Sequence, residues 1–247
     1  MILSDKDHPR AIEVVRDAIS AKPSLRMLYG ETYDKFRAVL TRCPAQGIAL
    51  ELGSGAGFAK EALPELTTSD VVSAPGIDRV VDATAMPFAS GELRAILMLN
   101  VFHHIPDVSA FLREADRCLA PGGRIFMVDQ HVGPLSGPIF KHLHDEPFDP
   151  RAGDWPFPSE GRLSGANGAL AWMVFERDRA RFERTFPRLS IERYAPHTPL
   201  RYWWIGGLRR WTLLPGWAFP LATAIDRSIA KIAPDLSSFV DIELVRR

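Results

Sequence analysis

Two cysteines in 247 residues, Cys43 and Cys118, are too few for a disulfide framework. No Cys-x-x-Cys pair or Cys/His cluster has the spacing of a zinc site, and both cysteines read as small core residues in helices. Charge of one sign is lacking too. Thirty Lys and Arg balance thirty Asp and Glu, which argues against a polyanion such as nucleic acid as the main partner. The longest apolar stretch, Trp211 to Ile225, is interrupted by Pro215, Gly216 and Pro220. It falls short of the roughly 20 residues a spanning helix needs. The first residues, Met1 to His8, are too charged to read as a signal peptide. A cytoplasmic location is therefore expected. No internal repeat or low-complexity linker divides the chain, so residues 1–247 are read as a single domain.

What is present is an alternation of periods. Apolar positions recur at helical spacing over 10–22 (Ile12, Val15, Ile19) and 31–42 (Tyr33, Phe36, Val39, Leu40). A buried strand is expected at 47–52, then a helix at 57–65 and strands near 68–72, 79–81 and 94–100. Asp107 is a good N-cap for a helix running to Leu119. Pro121-Gly122-Gly123 then turns into a strand at 124–129. Strands alternating with helices imply βαβ units and a mainly parallel sheet. Beyond residue 130 the text changes: 131–165 reads as loop with one helix, 167–186 as helix, and 189–194 and 239–245 as strands. An aromatic-rich helical insert occupies 200–233.

Glu51-Leu-Gly-Ser-Gly-Ala-Gly57 follows a predicted strand and opens a helix, the context of a nucleotide-type loop. Its three glycines alternate, with Phe58 where a dinucleotide fingerprint would place its third, so an oxidoreductase is disfavoured. An acidic residue just before the glycines suits a cationic ligand better than a phosphate. Asp70 ends the next strand, where Rossmann-like sites place a carboxylate on a ribose diol. Asp82 follows the third strand in Val81-Asp-Ala-Thr-Ala-Met-Pro-Phe88.

Taken in order, Glu51–Gly57, Asp82–Phe88, Asn100–Asp107 and Leu119–Ile125 resemble the class I S-adenosylmethionine (SAM)-dependent methyltransferases, in particular the type 11 subgroup. The resemblance covers about 45–130. It implies a Rossmann-like α/β fold with seven strands in the order 3-2-1-4-5-7-6, the last strand antiparallel, and a helical cap. It further implies SAM as cofactor. Glu51, Gly53, Ser54, Gly55 and Gly57 would hold its methionine end, Asp70 the ribose (Asp78 the substitute), Asp82 and Ala83 the adenine, and Asn100 would lie beside the methyl group.

For the acceptor side, His103 and His104 follow the fourth strand, at the end that faces the ligand crevice in open α/β sheets. Imidazole accepts a proton near neutral pH, as methylation of a hydroxyl requires. A second group, His131, His142, His144, Asp145 and Glu146, follows the fifth strand. His144 and Glu146 are its candidates for binding or deprotonating an acceptor. No metal is expected, because the acidic residues of this group are adjacent rather than spread over separate strands. Trp203, Trp204, Trp211 and Trp217 fall within fifteen residues, and segments 131–165 and 200–233 are expected to form the acceptor pocket, with the tryptophans as a lid. Plain packing and contact with a membrane surface are the other readings of this insert. The expected activity is methyl transfer from SAM to a small or amphipathic, lipid-like acceptor, at oxygen. The alternatives are N- or C-transfer and a SAM-binding regulatory protein without turnover.

Overall fold

A computed structural model describes residues 11–159 and 165–247. Met1 to Arg10, where a signal peptide was read as absent, and 160–164 within the expected loop lie outside the described residues. Two helices open the fold, α1 (Ala11–Ser20) and α2 (Pro23–Leu40), followed by β1 (Ile48–Leu52), α3 (Phe58–Ala62), β2 (Thr67–Asp70) and β3 (Arg79–Val80). Next come β4 (Leu93–Leu99), a 3-10 turn at Phe102–His104, α4 (Val108–Cys118), β5 (Leu119–Gln130) and α5 (Ser136–Leu143). The last part holds α6 (Leu170–Trp172), α7 (Arg179–Thr185), β6 (Leu189–His197), α8 (Arg201–Ile205), α9 (Phe219–Ile232) and β7 (Phe239–Arg246).

The seven strands form one sheet in the order β3-β2-β1-β4-β5-β7-β6. β1 to β5 pair in parallel, and β7 runs antiparallel to both neighbours. This is the order that the resemblance implied. The central strands read as nearly continuous apolar runs because they are covered on both faces. In β4, Ala95 to Met98 are wholly buried. Helix α2 packs on β5 through Phe36, whose ring meets Phe126 edge-on at 5.9 Å.

Several elements differ from their expected form, each for a local reason. Helix α2 begins at Pro23, eight residues before the expected start, with proline in its first turn. Gly30, a poor helix former, obscures the apolar spacing there. Helix α3 stops at Ala62, two residues before Pro64. The Pro121-Gly122-Gly123 turn is a bulge inside β5, since the register on β4 jumps from Leu93↔Leu119 to Ala95↔Arg124. The expected helix over 167–186 is broken by a π turn at Met173–Arg177 and by Asp178, whose carboxylate accepts from the Trp155 indole at 2.8 Å. Cys118 ends α4 as expected, whereas Cys43 lies in the turn after α2.

The late insert is fastened to the front of the chain by buried charges. Lys22 donates to the carbonyls of Ile205, Gly207 and Trp211 at 3.1, 2.9 and 2.8 Å. Arg201, buried, pairs with Asp226 of α9 and Glu31 of α2, each at 2.9 Å. Pairing of this kind is what allows charged groups inside a fold.

Candidate active site

The carboxyl ends of the parallel strands point into one cavity of about 380 Å³, within the usual range for small-molecule sites. Its first half is built by the loop after β1. Gly53 sits at φ +65° and Gly55 at φ +51°, a region that side chains disfavour. A Cβ on Gly53 would stand 2.5 Å from Val101 Cγ2, so the loop closes on β4 only with glycine there. A Cβ on Gly55 would meet nothing nearer than the Gly53 carbonyl, at 3.8 Å, because the space beyond is the cavity. Ser54 ties the loop to β2: its N–H donates to the Ser69 carbonyl (2.8 Å) and its hydroxyl accepts from Ser69 N–H (3.1 Å). Asp70 accepts from the N–H of Gly55 at 3.1 Å and of Val71 at 2.8 Å.

Glu51, Gly53, Ser54, Gly55, Asp70, Asp82, Ala83 and Asn100 all line this cavity, whereas Gly57 does not. Gly57 turns the chain into α3. Asp78 is held elsewhere, by Lys60 and by the Thr68 N–H, and of the two carboxylates only Asp70 lines the cavity. Glu51 is buried, and among the described residues neither its Oε2 nor the buried Oδ1 of Asn100 has a hydrogen-bond partner. Asn100 adopts φ +55°, a costly conformation for a side-chain-bearing residue. Burial raises the Glu51 carboxyl pKa to about 7, Ser54 opposing and the Asp70 charge adding to the rise. Unpartnered buried acceptors facing a cavity call for a donor, which a bound ligand can supply. The ammonium of a SAM amino-acid tail suits Glu51, and the ribose diol suits Asp70.

The second half of the cavity gathers residues far apart in sequence. His103 and His104 come from the turn after β4, and His144 and Glu146 from the loop after α5. His103 Nδ1 lies 2.7 Å from Asp129 Oδ1, and its Nε2 lies 3.3 Å from Glu146 Oε2. His104 Nε2 is 3.8 Å from Glu146 Oε1, and His144 Nδ1 is 3.6 Å from Glu146 Oε2. Burial opposes a charge on His103, but the Asp129 and Glu146 carboxylates outweigh it and raise its pKa to about 10. Burial, then the neighbouring His103 charge, lowers His104 to about 4. Glu146, against the effect of burial, is held well below the usual carboxylate range by the hydrogen bond from His103 and the three histidines around it.

The four acceptor-side residues named from sequence therefore meet in one place. His131, His142 and Asp145 do not join them. His131 is buried against the Tyr194 hydroxyl at 3.2 Å, while His142 and Asp145 are exposed. Sequence reasoning passed over Asp129, although its position near the carboxyl end of an apolar strand is a signal. It also missed the apolar wall of Ile12, Val15, Ile19, Tyr29, Phe140 and Phe239, whose helical members read as ordinary core. From the tryptophan-rich insert the cavity receives Tyr202 and Leu208, not Trp203 or Trp204. Trp203 packs edge-on against Phe140 at 5.1 Å and donates to Ser238 Oγ at 2.7 Å. It supports the wall from behind.

Residues 50–127 match a family model described as a methyltransferase domain. No curated protein sequence matches the chain. Among solved structures, the geranyl diphosphate C-methyltransferase of Streptomyces coelicolor A3(2), bound to Mg2+, geranyl diphosphate and S-adenosylhomocysteine, is similar with a TM-score of 0.53. The two are 18% identical over 100% of this chain and 89% of that one. The phosphoethanolamine N-methyltransferase 2 of Haemonchus contortus, bound to SAM, has a TM-score of 0.51 and 14% identity, over 98% of this chain and 58% of the other. Likeness at this identity establishes the shared fold. The matched domain, the sheet order and the alternating-glycine loop agree: residues 50–127 carry a methyltransferase domain, within a fold shared with SAM-dependent methyltransferases.

Proposed function

We propose that the protein transfers the SAM methyl group to an oxygen of a small, partly apolar acceptor bound in the second half of the cavity. One observation carries this reading. The cavity that contains Glu51 and Asp70 continues without a break to the His103–Glu146 cluster, between walls of Phe140, Tyr202 and Phe239. Glu51, Gly53, Ser54, Gly55, Asp70, Asp82, Ala83 and Asn100 hold SAM, and Gly57 shapes their loop. His103, His104, His144 and Glu146 receive the polar head of the acceptor.

The sulfonium is already an excellent leaving group, so the protein has to align acceptor and methyl and draw off one proton. The hydroxyl O–H gives its proton to the cluster and its lone pair forms the O–CH3 bond. Sulfur keeps the electron pair of the broken S–CH3 bond, leaving S-adenosylhomocysteine. A hydroxyl favours this reading over an amine, because water does not deprotonate an alcohol near pH 7 and a base beside it does. N- and C-transfer, for which the two structural neighbours are named, are the alternatives. Incubation with methyl-tritiated SAM and a panel of prenyl, fatty and aromatic alcohols, acids and amines tests the reading. Label recovered only in amines, or in carbon positions, would refute the oxygen assignment.

A lipid-like acceptor is favoured by the outer face of the insert. Trp217 is 85% exposed, Ile232 84% and Leu213 74%, and Leu221 and Ile225 join them along α9. Arg209, Arg210, Arg227 and Lys231 lie exposed among these residues. Apolar groups interleaved with cations suit an anionic bilayer surface, and Leu208 beside them reaches the cavity wall. Among the described residues no helix is long and apolar enough to cross a membrane. The contact is peripheral. Sedimentation with phosphatidylglycerol vesicles tests it, and no binding at low salt would refute it.

A further inference from the structure

We propose that His103, His104 and Glu146 bind one divalent transition-metal ion at the acceptor end of the cavity. One ligand atom from each residue lies within 4.8 Å of the other two. The nearer approaches are 3.3 Å from His103 Nε2 to Glu146 Oε2 and 3.8 Å from His104 Nε2 to Glu146 Oε1. Atoms sharing an ion at about 2.0–2.2 Å stand roughly 3–3.5 Å apart, so side-chain rotations that shift the ligand atoms by about 1 Å close the site.

The outer contacts are those of a metal centre. Ligating histidines hold their other ring nitrogen on a carboxylate or a backbone carbonyl, which fixes the ring and directs the free lone pair inward. Both histidines do so here. His103 Nδ1 is held by Asp129 at 2.7 Å, and His104 Nδ1 by the Gly165 carbonyl at 3.3 Å. Asp129 is in turn fixed by the N–H groups of Gln130 (2.7 Å) and His103 (3.3 Å), and Gln130 Nε2 reaches Glu146 at 3.5 Å. An ion takes the place of the proton on His103 Nε2, leaving two neutral imidazoles and two carboxylate charges with little access to water. A divalent cation balances them. Two imidazoles and one carboxylate select a zinc, iron, manganese or cobalt ion over magnesium or calcium.

All three residues line the cavity, so the remaining coordination positions open into it. There they take an oxygen of the acceptor. This inference deepens the proposed O-methyl transfer and rests on it for its role. An ion held there would bring the ionisation of a bound hydroxyl towards neutral pH; the proton would then leave to water in place of the cluster, whose groups would be ligands, while the oxygen takes the methyl group and sulfur retains the electron pair. From sequence no metal is expected, because Asp145 and Glu146 are adjacent. The site uses Glu146 alone, with two histidines from another strand end.

The test is titration of the chelator-stripped, full-length protein with Co2+, followed by visible absorption, and with Zn2+, followed by calorimetry. One ion per chain is expected. Glu146→Gln and His104→Ala should weaken binding about 100-fold or more, and Asp129→Asn about 10- to 100-fold, with SAM binding retained as the check on folding. An anomalous-diffraction map of the parent with Zn2+ stands independently of the variants: a peak between the three residues supports the site, and a peak elsewhere or none overturns it. Substoichiometric binding, or equal affinity in Glu146→Gln, also overturns it. Methyl transfer is read separately. Full-rate transfer to a hydroxyl by the stripped protein sinks the metal and leaves O-methylation standing. A stoichiometric ion at this site with label found only in amines supports the ion and sinks the oxygen reading.

Discussion

The most quantitative consequence of the site lies at Glu51. Its carboxyl pKa is raised to about 7 by burial, and its Oε2 has no partner among the described residues. The SAM ammonium can pair with it only as the carboxylate. In the free protein the carboxyl is protonated below pH 7 and ionised above it, so SAM affinity must fall as pH falls through 7. With a free-state pKa near 7 and a bound-state value well below, the dissociation constant should rise about fivefold from pH 7 to 6 and about tenfold from pH 6 to 5. Binding near pH 6 should release close to one proton. Glu51→Gln keeps the shape and removes the titration. It should weaken SAM at pH 8 by about 1.5–3 kcal/mol, the value of a hydrogen bond to a charged group, or roughly 10- to 150-fold. The variant's affinity should then be flat from pH 8 to 5. Calorimetry in buffers of different ionisation enthalpy reads affinity and proton release together. A parent affinity independent of pH, or a Gln variant with the parent's slope, would refute the pairing.

Other perturbations separate packing from binding. Gly53→Ala drives a Cβ to 2.5 Å from Val101 at a positive φ and should destabilise the fold by about 1–3 kcal/mol, read by thermal denaturation. Gly55→Val meets open cavity instead, so SAM binding should drop more than tenfold by calorimetry with a smaller change in melting temperature. His103→Ala should cost about 10²–10⁴ in the rate of methyl transfer while the SAM dissociation constant stays within about twofold; a parallel loss of SAM binding would place the histidine with the cofactor. Trp203→Ala, which unpacks Phe140 and frees Ser238, should cost about 2–4 kcal/mol of stability. A raised acceptor KM at unchanged stability would restore the lid. Trp217→Ser with Leu213→Ser should abolish vesicle sedimentation and leave SAM affinity unchanged.

The first half of the molecule was legible because its signals are local. Ile48–Leu52 and Leu93–Leu99 are apolar runs of strand length, and the loop of alternate glycines announces both a turn and a ligand. Asp70 and Asp82 stand at the ends of their strands, so their place at the crevice followed from topology. The strand order did not follow from periodicity; it came with the resemblance, since nothing in Phe239–Arg246 says that it pairs between β5 and β6. The acceptor side was legible as residue types and not as an assembly. His103 and Glu146 are 43 residues apart and meet only because the turn after β4 and the loop after α5 open at the same sheet edge. Asp129, buried at the end of Ile125–Val128, looked like a strand residue until its bond to His103 was seen. Trp203 misled in the other direction: an aromatic in a cap reads as pocket or as packing, and only its contacts decide. The break at Asp178 depends on a partner, the Trp155 indole, that local pattern does not reveal.

The central claim is that one cavity aligns the SAM methyl group with the His103–Glu146 cluster. A crystal structure with S-adenosylhomocysteine tests it most directly. The account predicts the ligand amino nitrogen within about 3 Å of Glu51 Oε2, the ribose hydroxyls on Asp70, and the sulfur beside Asn100 facing His103 and Glu146. A ligand whose sulfur faces away from that cluster, or whose amino-acid end lies apart from Glu51, would contradict it.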